Sequence, residues 1–147
     1  MTIYDAIKKD HARHRELLSR IDDTSGDTAE RRELFEEFRR ELTAHANAEE
    51  QTLYAVLLEN PDSQEQARHG IAEHKRGDDV LADLADLDFD NPGWLARFRK
   101  LRHEVEHHMD EEEEDVFASA RQVLDDARAE EMAARFGLRE AIERREA

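Results

Sequence analysis

Apolar residues recur at three- and four-residue intervals along four long segments, a spacing typical of amphipathic α-helices. One stripe comprises Leu34, Phe35, Phe38, Leu42, Leu53 and Val56, and another comprises Phe98, Leu101, Val105, Val116 and Val123. The predicted helices run from Ile3 to Ile21, from a cap at Asp27 to Asn60, from Asp62 or Ser63 to Leu87, and from Gly93 to Leu124. Because short connections join antiparallel neighbours, the pattern predicts an all-α, up-down antiparallel four-helix bundle.

Local signals set the ends of these helices. Gly26 breaks the first helix, and Asn60 ends the second because a residue before proline avoids helical angles. Asp27 with Glu30 resembles a capping box at the start of the second helix. Asn91 is the predicted N-cap of the fourth, with proline at its first position. Residues 1–124 therefore form the predicted bundle, and residues 125–147 a short amphipathic helical extension, broken near Gly137.

Composition changes this picture in two ways. Charged residues make up 41% of the 147 residues and hydrophobic ones 38%, a mixture that would permit disorder if the apolar periodicity were absent. The net charge of −16 disfavours nucleic acid and anionic membranes as partners and is compatible with attracting cations. The chain has no cysteine, so any metal site must use histidine, carboxylate, tyrosine or water.

No apolar stretch is long enough to span a membrane, and the first residues, MTIYDAIKKDHARH, have no apolar core of the signal-peptide type. We therefore expect a soluble, cytoplasmic protein.

The second and fourth helices carry the same motif. The stretch from His45 to Tyr54, HANAEEQTLY, aligns without gaps with residues 108–117, HMDEEEEDVF. Each reads His-x-x-x-Glu-Glu-x-x-aliphatic-aromatic, and the spacing of four puts the histidine and the first glutamate on one helix face. That face is the apolar one, where unpaired ionised groups are costly. The repeat therefore predicts that His45, Glu49, His108 and Glu112 point into the core and bind multivalent cations.

Helical phase selects one inward histidine on each remaining helix, His11 on the first and His74 on the third. It places His69, His103 and His107 away from the inner face, and Glu113 and Glu114 on a solvated flank. Four imidazoles and two carboxylates could hold two metal ions with the glutamates bridging. Imidazole and carboxylate without sulfur suit iron, manganese or zinc.

Four further residues have open roles. His14 lies within the apolar stripe and is either an additional ligand, a second partner around the metal, a gas-pocket residue or a packing residue. Gly70 and Gly77 flank His74, where they allow either close helix approach or room for a ligand beside the metals. Tyr54 points away from His45 by helical phase, which favours packing.

Taken in order, these motifs resemble the haemerythrin-like, or HHE cation-binding, family. KKDHARHRELL is similar to its opening Asp-His element, and AEHKRGDDVLADL to its central Glu-His element. HANAEEQTLY and HHMDEEEEDVF are similar to its two His-x-x-x-Glu motifs, and the likeness covers residues 1 to about 124. The resemblance implies a non-haem centre of two iron ions, with the ligands His11, His45, Glu49, His74, His108 and Glu112. Glu49 and Glu112 would be the bridging carboxylates.

The sequence departs from the oxygen-carrying members of that family. Those proteins have a His-x-x-x-His pair on the third helix, whereas Gly70 and Asp78 stand four residues from His74. Their last carboxylate is an aspartate five residues after histidine, whereas here a glutamate stands at four. One imidazole is missing, which implies a more open or water-filled coordination position. The departure argues against reversible oxygen carriage and favours oxygen, peroxide or nitric oxide chemistry, with His14 as a partial substitute.

Three functions remain open at the level of sequence. The first is a metal protein that binds oxygen or nitric oxide in stress response, sensing or iron handling. The second is a di-iron enzyme that consumes peroxide or nitric oxide, although no sequence feature demands turnover and no catalytic residue is assigned. The third is a metal-stabilised interaction module whose acidic flank and C-terminal segment recruit an unidentified protein.

Overall fold

The computed structural model describes residues 1–147 and is entirely helical. Its α-helices are α1 (Ile3–Asp22), α2 (Ala29–Glu49), α3 (Ala55–Glu59), α4 (Gln64–Asp86), α5 (Trp94–Glu111), α6 (Phe117–Val123) and α7 (Asp126–Glu146). α2 runs into α3, and α5 into α6, through π-helical turns at Glu50–Tyr54 and Glu112–Val116. The four predicted bundle helices are therefore α1, α2 with α3, α4, and α5 with α6, which confirms the predicted fold class.

Two helix starts differ from the prediction. Thr28, rather than Asp27, caps α2, because its side chain accepts a hydrogen bond from the Arg31 backbone. Asp27 pairs instead with Arg32. α5 begins at Trp94, one residue later than predicted, and Asn91 accepts from the backbone of Gly93 ahead of it.

The hydrophobic core is divided along the bundle axis. One buried cluster comprises Ile3, Tyr4, Ile7, Ala48, Leu53, Tyr54, Leu57, Ala67, Val116, Phe117, Ala120, Leu124, Ala129, Met132 and Phe136. The other comprises Leu17, Leu18, Ile21, Leu34, Phe35, Phe38, Leu81, Leu84, Phe89, Trp94, Phe98, Leu101, Val105 and Met109. Between them α1 carries His11 and His14, and α2 carries His45 and Glu49, all buried. A polar layer thus lies between two apolar ones, which cover it at both ends.

The C-terminal segment forms a full-length helix that joins the core. α7 packs on α1 and α2 and continues through Gly137 without a break. Its buried residues are Ala129, Met132, Phe136 and Glu140, which follow one another at helical spacing. None of the helices combines the length and apolar character that crossing a bilayer requires.

Candidate metal centre

The six residues of the predicted ligand set lie together in the polar layer as two groups. His11, His45, Glu49 and Glu112 form one, and their potential ligand atoms lie within 4.8 Å of one another. Glu49, His74, His108 and Glu112 form the other by the same measure. Glu49 and Glu112 belong to both groups, so the two groups share both carboxylates.

All four imidazoles present the same nitrogen to these carboxylates. His45 Nε2 is 3.2 Å and His74 Nε2 is 3.1 Å from different oxygens of Glu49. His11 Nε2 is 3.1 Å and His108 Nε2 is 3.6 Å from different oxygens of Glu112. Each carboxylate therefore has one oxygen in each group, the arrangement that a carboxylate bridging two ions requires.

Buried polar atoms at this centre lack hydrogen-bond partners. They are His11 Nε2, His108 Nε2, both carboxylate oxygens of Glu49 and Glu112 Oε1. Buried polar groups are normally paired, because an unsatisfied one costs about 1–3 kcal/mol. Five unsatisfied atoms facing one another would be compensated by bound cations, so the residues present fit a two-metal centre.

The opposite nitrogen of each imidazole is held by an outer carboxylate. Nδ1 donates to oxygen in four pairs: His11 to Glu113 at 2.7 Å, His45 to Asp10 at 2.8 Å, His74 to Glu50 at 2.7 Å and His108 to Glu73 at 2.7 Å. These hydrogen bonds fix each ring with Nε2 turned inward, as outer carboxylates do for metal-binding histidines.

The outer carboxylates connect the helices in a closed ring. Asp10 of α1 holds a histidine of α2, and Glu50, which follows α2, holds one of α4. Glu73 of α4 holds one of α5, and Glu113, in the turn after α5, holds His11 of α1. Each outer carboxylate is adjacent in sequence to one of the six predicted ligands. Two consecutive residues therefore supply one predicted ligand and one carboxylate that holds a histidine of another helix. The expectation that Glu113 lies on a solvated flank is wrong.

Tyr54 packs in the core, as its helical phase allowed, but it also contacts the centre. The Tyr54 hydroxyl donates a hydrogen bond to Glu112 Oε2, and the ring lies 5.5 Å from that of His74. The π-helical turn Glu50–Tyr54 explains the difference, because its extra residue rotates the following side chains by roughly 100° relative to an α-helix. The equivalent position after the second motif is Phe117, which has no hydroxyl.

The two glycines beside His74 have different surroundings. A Cβ at Gly70 would come within 2.6 Å of the Tyr54 hydroxyl oxygen, whereas a Cβ at Gly77 would meet nothing within 4 Å. Gly70 therefore permits a close approach, and Gly77 lines a cavity of about 240 Å³ between α2, α4 and α5. Gly70 is one of the two positions at which a second histidine of the His-x-x-x-His pair could stand. The Tyr54 phenol occupies the space that a side chain at residue 70 would take.

His14 lies beside the first group without joining it. Its side chain is buried, its Nδ1 has no partner, and its ring is 5.0 Å from that of His45 and 6.4 Å from that of His11. Burial and the neighbouring His45 hold the pKa of His14 well below its usual value, so this imidazole is neutral. It is not a member of either group.

The pKa values of His74 and His45 show that the buried carboxylate of Glu49 stabilises positive charge on the imidazoles beside it. Burial alone would lower the pKa of His74, yet the adjacent carboxylates of Glu49 and Glu50 raise it to about 10. Burial opposes a charged His45 as well, but the charge of Glu49 leaves the pKa of His45 well above its usual range. In the absence of metal, protons on the imidazoles compensate the buried carboxylates, and bound cations would displace those protons.

α7 adds one residue that the sequence analysis did not identify. The buried Glu140 side chain lies 3.8 Å from His45 Nδ1 and forms a further group with Asp10 and His45. Burial and the adjacent Asp10 raise the pKa of Glu140 to about 8. The signal was present, because Glu140 continues the apolar series of Met132 and Phe136 at a spacing of four. Because burying a carboxylate is costly, an acidic residue in a buried apolar series indicates a specific role in the interior.

Curated proteins with similar sequences cover most of this chain. A Nostoc sp. protein named DNA nickase is 31% identical over 139 residues, which are 92% of this chain and 38% of the nickase. This chain thus spans well under half of that relative. The uncharacterized protein Rv2633c of Mycobacterium tuberculosis is 29% identical over 140 residues, 95% of this chain and 85% of that protein.

A solved structure and a family profile both point to one family. The crystal structure of a Hemerythrin HHE cation binding domain-containing protein, the Rv2633c homolog from Mycobacterium kansasii, superposes with a TM-score of 0.89. The match has 26% identity and covers 99% of this chain and 89% of that one. The profile of the Hemerythrin HHE cation binding domain matches residues 2–120. The resemblance inferred from the motifs is confirmed, and the chain belongs to the hemerythrin HHE cation binding domain family.

Proposed function

We propose that this chain is a non-haem di-iron protein that binds a small diatomic ligand, oxygen or nitric oxide. In this proposal His11, His45, Glu49 and Glu112 hold one iron, and Glu49, His74, His108 and Glu112 hold the other. The observation that carries it is the sharing of Glu49 and Glu112, two fully buried carboxylates, between two histidine-containing groups. Stress response, sensing and iron handling are the roles that such a centre would suit.

The donor set supports iron. Imidazole and carboxylate without sulfur suit iron, manganese and zinc, and of these iron both changes redox state readily and binds diatomic gases. When bound, the iron pair would supply electrons and a coordination position for the ligand. The protein side chains would orient the imidazoles, cover the centre and hold protons near it.

The side chains around the centre have definite tasks. The four outer carboxylates keep the imidazoles turned inward, and the two apolar layers cover the centre at both ends. The Tyr54 hydroxyl holds a proton at Glu112 Oε2, since burial and the nearby carboxylates keep its pKa well above the usual value. His14 offers a neutral imidazole from the opposite side.

A second candidate function is an enzyme that consumes peroxide or nitric oxide at the same iron pair. The unpartnered Nδ1 of the buried, neutral His14 favours it, since a neutral imidazole can form a hydrogen bond with a polar molecule at the centre. A metal-stabilised interaction module is the third, in which α7 would contact the partner. We do not extend the nickase's activity to this chain, because its net charge of −16 opposes contact with DNA phosphates.

Metal analysis combined with the optical spectrum tests the proposal. Protein produced with iron should retain about two irons per chain, as the two groups imply, and zinc alone or no metal would refute the di-iron assignment. A spectrum that changes reversibly on exposure to oxygen or nitric oxide supports ligand binding. Sustained loss of peroxide or nitric oxide over many turnovers per iron pair supports the enzyme instead.

A further inference from the structure

A large acidic pocket joins solvent to one side of the metal centre. It has a volume of about 520 Å³ and lies between α4 and the α5 side of the bundle. Six of its lining residues are carboxylates, and none is lysine or arginine: Asp62, Glu65, Glu73, Glu111, Glu112 and Asp115. A cleft lined by one sign of charge concentrates counter-ions and accelerates their association. This pocket is therefore suited to cations.

The outer part of the pocket contains a potential binding group of its own. His69 Nε2 lies 3.5 Å from Glu73 Oε2 and 3.3 Å from Glu111 Oε1, and one ligand atom from each lies within 4.8 Å of the others. His69 is about half exposed, at 54%, and the two glutamates are partly exposed. An imidazole with two carboxylates is a suitable donor set for a divalent transition metal.

The inner part of the pocket ends on the metal centre itself. Glu112 and His108 line it; Glu112 is 1% exposed, and the buried His108 Nε2 has no hydrogen-bond partner. Glu73 connects the two levels, since one of its oxygens faces His69 while the other accepts from His108 Nδ1 at 2.7 Å. A cation bound by His69 would thus be linked to His108 of the inner group through the single carboxylate of Glu73.

We infer that His69, Glu73 and Glu111 form an outer cation site that captures divalent metal from solvent and passes it through the acidic pocket to the inner centre. The inference rests on the proposed function, because it requires the inner groups to bind metal. It assigns the outer site a kinetic role: it sets the rate of uptake, and the inner groups set how much metal is retained.

The other cavity at the centre is a poorer route for cations. The 240 Å³ cavity has Leu42, Leu101 and Val105 in its wall, and Arg76 offsets part of the charge of its three carboxylates, Glu73, Asp78 and Glu104. It reaches His74 and His108 but neither of the shared glutamates. Metal and a neutral small ligand would therefore approach from different sides.

Uptake kinetics test the inference. Metal-free protein is mixed with Fe²⁺ without oxygen, and samples are quenched with a chromogenic chelator at intervals. A His69→Ala/Glu111→Gln variant should take up iron about tenfold more slowly than the wild type, the lower end of the range for electrostatic focusing, and reach the same final content. A His103→Ala/Glu114→Gln variant is the matched control, since it removes an exposed histidine and an exposed glutamate outside the pocket.

Equal uptake rates in the wild type and the His69→Ala/Glu111→Gln variant would overturn the inference while leaving the di-iron proposal intact. Failure of the wild type to retain iron would instead overturn the di-iron proposal and, with it, transfer to the inner centre. The outer site is also measured directly, by titrating protein with Mn²⁺ and following the free-ion signal by electron paramagnetic resonance. The wild type should bind one additional, weaker Mn²⁺ that the variant does not, and identical titrations would refute the outer site.

Discussion

The phenol of Tyr54 occupies the space in which residue 70 would otherwise carry a side chain. A Cβ at Gly70 would lie 2.6 Å from the hydroxyl oxygen and 2.8 Å from the ring carbon that bears it. The buried ring cannot retreat freely, so Gly70→Ala should displace the hydroxyl from Glu112. We expect a net destabilisation of up to about 2 kcal/mol in metal-free protein, since overpacking costs about 1–3 kcal/mol and the helix gains about 1 kcal/mol. Chemical denaturation measures the change.

Gly77→Ala is the matched control, because it makes the same change on the same helix with nothing within 4 Å of the new methyl group. It should stabilise the protein by up to about 1 kcal/mol through helix propensity alone. In a Tyr54→Leu background the cost of Gly70→Ala should largely vanish, since the two residues are in contact and their effects are coupled. Equal responses at the two glycines would show that Tyr54 does not constrain position 70.

The fold could be predicted from the sequence because its determinants are local. Apolar periodicity places the helices, and Gly26 and Pro61 place two of the connections. The pairing of the two halves of the centre was also visible, since the motif at His45 is repeated at His108. Periodicity marked the C-terminal segment as amphipathic but could not show which helices it packs on, because the partners of Glu140 lie far away in sequence.

The surroundings of the centre were predictable only in part, for a specific geometric reason. Phase reasoning assumes about 100° per residue, and the π-helical turns at Glu50–Tyr54 and Glu112–Val116 break that assumption just after the glutamates. Phase reasoning therefore predicted only packing for Tyr54 and missed its hydrogen bond to Glu112. Glu113 was missed for another reason: its partner is His11, on a helix 102 residues away along the chain.

Removal of an outer carboxylate should weaken metal binding without removing a ligand. Glu50→Ala leaves His74 free to rotate, because Glu50 is the partner of its Nδ1 at 2.7 Å. We expect metal affinity to fall by about 10- to 100-fold, the usual effect of losing such a partner. Competition with a chelator of known affinity measures it. Glu114→Ala, in an exposed neighbour of the second motif, should leave the affinity unchanged, and a similar loss in both variants would contradict the assigned role of Glu50.

The histidines of α4 should differ in their effects. His74 contacts the shared carboxylate Glu49 at 3.1 Å, whereas His69 lies in the outer part of the acidic pocket. His74→Ala should therefore lower the equilibrium metal content, and His69→Ala should not. Inductively coupled plasma mass spectrometry on dialysed protein gives both values. Equal metal loss in the two variants would refute the helical-phase assignment of the inward histidine.

The sharing of Glu49 and Glu112 predicts a difference between histidine and glutamate variants. His11 belongs to one group only, so His11→Ala should weaken one ion and leave the group of His74 and His108 occupied. Glu49 belongs to both groups, so Glu49→Gln should weaken both ions together, since it removes one charged donor oxygen from each. Metal titration followed by calorimetry separates the two patterns, because one retained site differs in stoichiometry from two weakened ones. If Glu49→Gln removed a single ion and left the other at wild-type affinity, the carboxylate would serve one metal, and the bridged arrangement would be wrong.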